Sequence, residues 1–169
     1  MAALVLVLCS IPTEWVLAAC FAFSVCATLM HACQEIFSAD GPLWDHFGRI
    51  AGVAVPWPLG LAAFSVLAVG LIEVAWLGYL DRSAVALSLL FGARLGDSWF
   101  SHLDLRIKRL SVPNPGLPSV PLYGIECVGI AVAVPEALLL PWVLIGAGTF
   151  ALVIPALSLA GWIARRWAV

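Results

Sequence analysis

The chain has 169 residues, of which 63% are hydrophobic and 11% charged, with a formal net charge of −2. Soluble domains run at about 45–50% apolar residues, so this composition excludes an ordinary water-soluble globule, and the length leaves room for a single domain, 1–169. Basic residues cluster only near the ends of apolar runs, which argues against nucleic acid as a partner.

Met1–Ile11 is an apolar lead-in that breaks at Pro12. Leu17-Ala18-Ala19-Cys20 has the form of a lipoprotein cleavage box, but no Lys or Arg precedes it and the apolar run continues to Phe37. A retained transmembrane helix from Thr13 to Phe37 is therefore expected. After Ser38–Pro42 comes Leu43–Ile50 with Asp45, His46 and Arg49, where His46 is expected in a loop and solvated. The second span is expected from Pro58 to Leu80, closed by the turn Asp81-Arg82-Ser83. The third, from Ala84 to Ile107, is the most polar. Ser111–Pro118 is too rich in proline to be helical throughout. The fourth span is expected from Ser119 to Val134 and the fifth from Glu136 to Trp162, kinked at Pro141 and Pro155.

The predicted fold is all-α: an integral membrane helical bundle of about five transmembrane helices. That count places Arg49, Arg106, Lys108, Arg109, Arg165 and Arg166 on one side, Arg82 on the other and Arg94 inside a span. The positive-inside rule then puts the N-terminus out and the C-terminus in. Tryptophans and tyrosines near the span ends, such as Trp15, Trp57, Tyr79 and Trp162, fit aromatic belts. The five cysteines, Cys9, Cys20, Cys26, Cys33 and Cys127, show no Cys-x-x-Cys spacing and read as small apolar packing residues.

Ionisable groups inside such spans are expensive and mark function. His31 and Glu35 stand one helical turn apart, and Gln34 shares their face. At ~1.5 Å per residue, His31 lies roughly 9 Å from the cytoplasmic end of its span, His102 roughly 8 Å and Glu126 roughly 10 Å. These groups are expected to meet in one polar pocket. A carboxylate beside an imidazole fixes its tautomer and raises its basicity, which suits acid–base chemistry. His31, Glu35 and His102 are the candidate catalytic residues, with Gln34, Arg94, Ser98 and Glu126 as candidate substrate-binding residues. Glu73, Arg94 and Asp97 are expected to form a structural ion network, because an intramembrane arginine needs a carboxylate. No metal-ligand motif such as His-Glu-x-x-His is present, so no metal ligands are assigned and the cofactor is unknown.

His31-Ala-Cys-Gln-Glu35 near the end of the first apolar run, followed by Ser98-Trp-Phe-Ser-His102, basic residues and Asn114-Pro-Gly-Leu117, resembles the HXXEE family of small bacterial membrane proteins. The resemblance covers roughly residues 25–125, with Gln34 in place of the first Glu and Ser98 where the family tends to have Asn. It implies His31, Glu35 and His102 as a shared constellation and a multi-pass protein of the bacterial inner membrane. It does not supply a reaction. The leading expectation is a membrane-embedded enzyme acting on a lipid-soluble or amphipathic small molecule, in contact with membrane lipid. The alternatives are a non-catalytic subunit or assembly factor, as a homo-oligomer or in a larger membrane complex, and a haem- or metal-binding membrane protein.

Overall fold

The computed structural model describes residues 13–108, 114–134 and 138–167, all helical or irregular, with no strand among them. The expectations for Met1–Pro12, Cys9, Arg109, Ser111–Pro113 and Glu136 lie outside the described residues.

Helix α1, Thr13–Ile36, buries only Ser24, Ala27, Thr28, His31 and Glu35. Those positions recur every three or four residues, so they form one helical stripe. The stripe is small and polar, while Trp15, Phe23, Leu29 and Met30 point outward and are exposed. This reverses the soluble pattern, in which the apolar face is the buried one. It is the pattern of a helix whose surroundings are as apolar as leucine.

The short helix α2, Leu43–Ala51, has a strongly two-sided sequence and ends at Gly52 in the left-handed conformation, φ 71°. Here the structure corrects the sequence reading of His46. It is not a solvated loop residue: it is only 1% exposed on the inner face of this helix, and its Nδ1 accepts from Arg49. Burial and the neighbouring guanidinium both push the His46 pKa below its ordinary value. Trp44 on the same face packs against Trp57 in a tilted pair, ring centroids 4.9 Å apart, and edge-on against Phe64 at 5.3 Å, fastening α2 to the next helix.

Helix α3, Trp57–Tyr79, begins with proline in its first turn. A tight turn leads to α4, Ala84–Gly96, capped by Ser83, whose Oγ accepts from the Ala86 N–H. The chain then runs without interruption into a π-helical segment, Asp97–Leu103, and a last α-helical turn, α5, Asp104–Lys108. A 3₁₀ turn, Leu117–Ser119, introduces α6, Val120–Ala133, followed by α7, Leu140–Ala151, and α8, Val153–Trp167.

By length and composition, α1 and α3 can each cross a membrane, and α7 with α8 makes a third candidate bent by 45°. Pro141 starts α7 rather than kinking it. Pro155 has no N–H to give the Ala151 carbonyl, which accounts for the break at Leu152.

The closest helix crossing joins α4 to α7. A Cβ added to Gly92 would stand 2.0 Å from the Val143 carbonyl oxygen, and one added to Gly146 would stand 2.3 Å from that of Leu89. Gly92-x-x-x-Gly96 is the small-residue spacing that lets backbones touch. Gly92→Val is expected to lower stability by about 1–3 kcal/mol through overpacking. The thermal midpoint in detergent checks this, and an unchanged midpoint would contradict the crossing.

Candidate functional site

The polar side chains collect in two buried layers. The first is built around Arg94, which is 0% exposed. Its Nε donates to Glu126 Oε2 at 2.8 Å, and its Nη2 donates to Thr28 Oγ1 at 2.5 Å, Ser24 Oγ at 3.2 Å and the Ser24 carbonyl at 3.3 Å. Tyr79 donates its hydroxyl to Glu126 Oε1 at 3.1 Å, and the guanidinium lies 4.0 Å from the Tyr123 ring centroid. This corrects the expected Glu73–Arg94–Asp97 network. Glu73 sits on the exposed face of α3, Asp97 belongs to the second layer, and Glu126 is the arginine's partner. Arg94 and Glu126 thus neutralise each other and do not line the cleft described below.

The second layer holds His31, Glu35, Asp97 and His102, all buried, with ligand-type atoms within 4.8 Å of one another. His31 Nε2 is 2.9 Å from Asp97 Oδ2, 3.2 Å from Glu35 Oε1 and 3.2 Å from His102 Nε2. His102 Nε2 is 3.4 Å from Glu35 Oε1 and 3.9 Å from Asp97 Oδ1. The three residues expected to act together are brought together here, and Asp97 joins them. Asp97 and His102 are five apart. Wound as an α-helix they would point in different directions, but the i→i+5 bonding of a π-helix stacks them. The Asp104 N–H, which donates to the Trp99 carbonyl, shows that winding directly.

Each imidazole is gripped from behind. His31 Nδ1 is 2.6 Å from Ser119 Oγ, and Ser119 spends its own proton on the Gly116 carbonyl at 2.7 Å. The hydroxyl therefore accepts, and Nδ1 of His31 donates. His102 Nδ1 is 2.6 Å from Asn114 Oδ1, while Asn114 Nδ2 donates to the His102 carbonyl at 2.8 Å. The second bond fixes the amide's orientation, so Nδ1 of His102 donates too. Both Nε2 atoms are left facing the carboxylates.

The turn that supplies these groups is itself part of the wall. Gly116 has φ 90°, and a Cβ there would meet His102 Cε1 at 2.7 Å and His31 Cε1 at 3.0 Å. Asn114 and Gly116 belong to the Asn114-Pro-Gly-Leu117 stretch that carries the resemblance, but short polar residues and a Pro-Gly pair read as ordinary turn chemistry, so neither they nor Ser119 is among the expected site residues. That motif, following His102 within 12 residues, is the sequence signal for a partner to the ring.

Gln34 is half-buried with its Oε1 unpartnered, in a polar groove of about 320 Å³ shared with Ser38, Asp40, Asn114 and Gly116. Ser98 is buried on the π segment, and Ser101 rather than Ser98 lines the cleft. That cleft has an interior of about 70 Å³. His31, Glu35, Asp97 and Tyr123 form its polar end, and Phe47, Phe64, Leu67, Leu71, Phe150 and Val153 its apolar walls.

Fold and site together define an all-helical protein with two or three helices able to cross a membrane and a buried His/Glu/Asp/His cluster. No family model, curated protein or solved structure matches the chain.

Proposed function

We propose that this protein is a membrane-embedded enzyme that performs acid–base chemistry on a lipid-soluble or amphipathic small molecule. In this reading it belongs to the bacterial inner membrane and crosses it five times, N-terminus out and C-terminus in. The π-interrupted helix from Ala84 to Lys108 is the third crossing and α6 the fourth. The likeness to HXXEE proteins is part of the same proposal.

The observation that carries it is the cluster's position at the polar end of an otherwise apolar cleft. An interior of about 70 Å³ holds about two waters' worth of volume, enough for a small head group. An apolar tail would stay among Phe64, Leu67 and Leu71. His31, its tautomer fixed by Ser119, presents Nε2 to that head group and can take a proton from it. Glu35 and Asp97, 3.2 and 2.9 Å away, then stabilise the imidazolium. His102, held by Asn114, is within 3.2 Å to carry the proton on.

Purified protein in nanodiscs, incubated with a total membrane lipid extract, is expected to convert at least one component by mass spectrometry. His31→Ala and Glu35→Gln are each expected to slow that conversion by about 10²–10⁴-fold. Conversion that survives both substitutions would contradict the assignment.

A further inference from the structure

We propose that His31, Glu35, Asp97 and His102 form a binding site for one divalent transition-metal ion of the Zn²⁺ type. The inference concerns the same centre as the proposed enzyme but does not rest on that reading for whether the ion binds: an ion on His31 Nε2 would take the lone pair that serves as the base in its absence.

The distances come first. Donors held about 2.0–2.1 Å from an ion stand about 2.9–3.4 Å from one another in tetrahedral or cis positions. Of the six donor pairs, four lie at 2.9, 3.2, 3.2 and 3.4 Å, the His102–Asp97 pair is wider at 3.9 Å, and all the ligand-type atoms lie within 4.8 Å of one another. Three separate backbone segments, α1, the π segment and the 114–119 turn, have to cooperate to produce that spacing.

The hydrogen bonds behind the rings come second. Ser119 and Asn114 accept from Nδ1 of His31 and His102 at 2.6 Å each. This is the outer-shell arrangement that metal-bound histidines almost always have, and it fixes the tautomer that leaves Nε2 as the ligand. The two Nε2 atoms stand 3.2 Å apart beside two carboxylates, so either a proton or an ion has to sit among them.

Charge comes third. Glu35 and Asp97 bring two negative charges into a site where all four residues are buried. The neighbouring cation, Arg94, is committed to Glu126. A dication balances the cluster, and buried carboxylates need such compensation. The donor set also distinguishes an ion from haem. A porphyrin fills four positions with its own nitrogens, whereas here two carboxylates stand beside the imidazole Nε2 atoms. A polar groove lined by Gln34, Asp40 and Asn114 shares Gly116, the residue packed against both imidazoles, with the wall of the cluster.

The test is metal content and Co²⁺ spectroscopy on the full chain in detergent, with Zn²⁺ and Co²⁺ as the probes. Wild type is expected to hold one equivalent of Zn²⁺ per chain after removal of excess, and to give Co²⁺ absorption bands typical of low-coordinate N/O ligation. Zn²⁺ should raise the thermal midpoint. His102→Ala and Asp97→Asn should abolish stoichiometric binding. Asn114→Ala keeps all four ligands and should weaken affinity by about 10–100-fold, so the test survives if a ligand variant fails to fold. Binding below one-tenth equivalent with no midpoint shift would overturn the site, as would a full equivalent retained by His102→Ala/Asp97→Asn. Stoichiometric metal without any lipid conversion would keep the ion and sink the enzyme. Conversion by metal-stripped protein would keep the acid–base enzyme and overturn any part of the ion in its reaction.

Discussion

Arg94→Ala is expected to lower the stability of the folded protein by about 3–5 kcal/mol. The arginine is wholly buried, and its Nε holds Glu126 at 2.8 Å while its Nη2 ties down Ser24 and Thr28 on α1. Removing it strands the buried Glu126 carboxylate, to which, among the described residues, Tyr79 remains as the hydrogen-bond donor. Most of the loss should therefore come from the abandoned partner rather than from the missing contacts. Arg94→Met combined with Glu126→Leu removes both charges at once, and such replacements of a whole buried pair are often neutral. Unfolding of the single and double variants in mixed micelles separates the two effects. A single variant as stable as wild type would contradict the ion pair, and so would a double variant worse than either single.

Gly116→Ala is expected to disorganise the cluster while leaving its ligand-type residues intact. Two costs add. A non-glycine residue in the left-handed region costs about 1–2 kcal/mol, and Gly116 sits there at φ 90°. The new methyl would also press on both imidazoles and on Glu35 Cγ, at 2.7 to 3.0 Å. Overpacking of that kind costs about 1–3 kcal/mol, giving about 2–5 kcal/mol together. The histidine ring resonances of His31 and His102 should shift in NMR spectra, along with a lower thermal midpoint. Unmoved resonances would mean that the 114–119 turn does not press on the rings.

How much of this was legible in the sequence can be traced residue by residue. His31, Glu35 and His102 stood out because charge is conspicuous on an apolar background, and hydrophobic length located α1 and α3 to within a residue at most ends. At the α pitch Asp97 falls about one turn from Arg94. The π segment changes that pitch over seven residues and turns Asp97 toward His102. A membrane surface at the start of its helix would put Glu126 level with His31. Ser119, at that start, is 0% exposed under the 114–118 turn, so Glu126 lies one layer deeper, beside Arg94. The close crossing of α4 and α7 was written in Gly92-x-x-x-Gly96, a spacing that hydropathy alone does not weigh.

The central claim is that the buried cluster receives the head of an amphipathic molecule lying in the apolar cleft. Photo-crosslinking with a diazirine-bearing long-chain fatty alcohol, mapped by peptide mass spectrometry, tests it most directly. The prediction is labelling concentrated between Phe64 and Leu71 and at Phe150 and Val153, the cleft-lining stretches. This labelling should disappear in the cleft-filling variant Ala68→Trp and fall when His31→Ala and Glu35→Gln are combined. Labelling spread evenly over the exposed faces of α1 and α3, and indifferent to those substitutions, would contradict it.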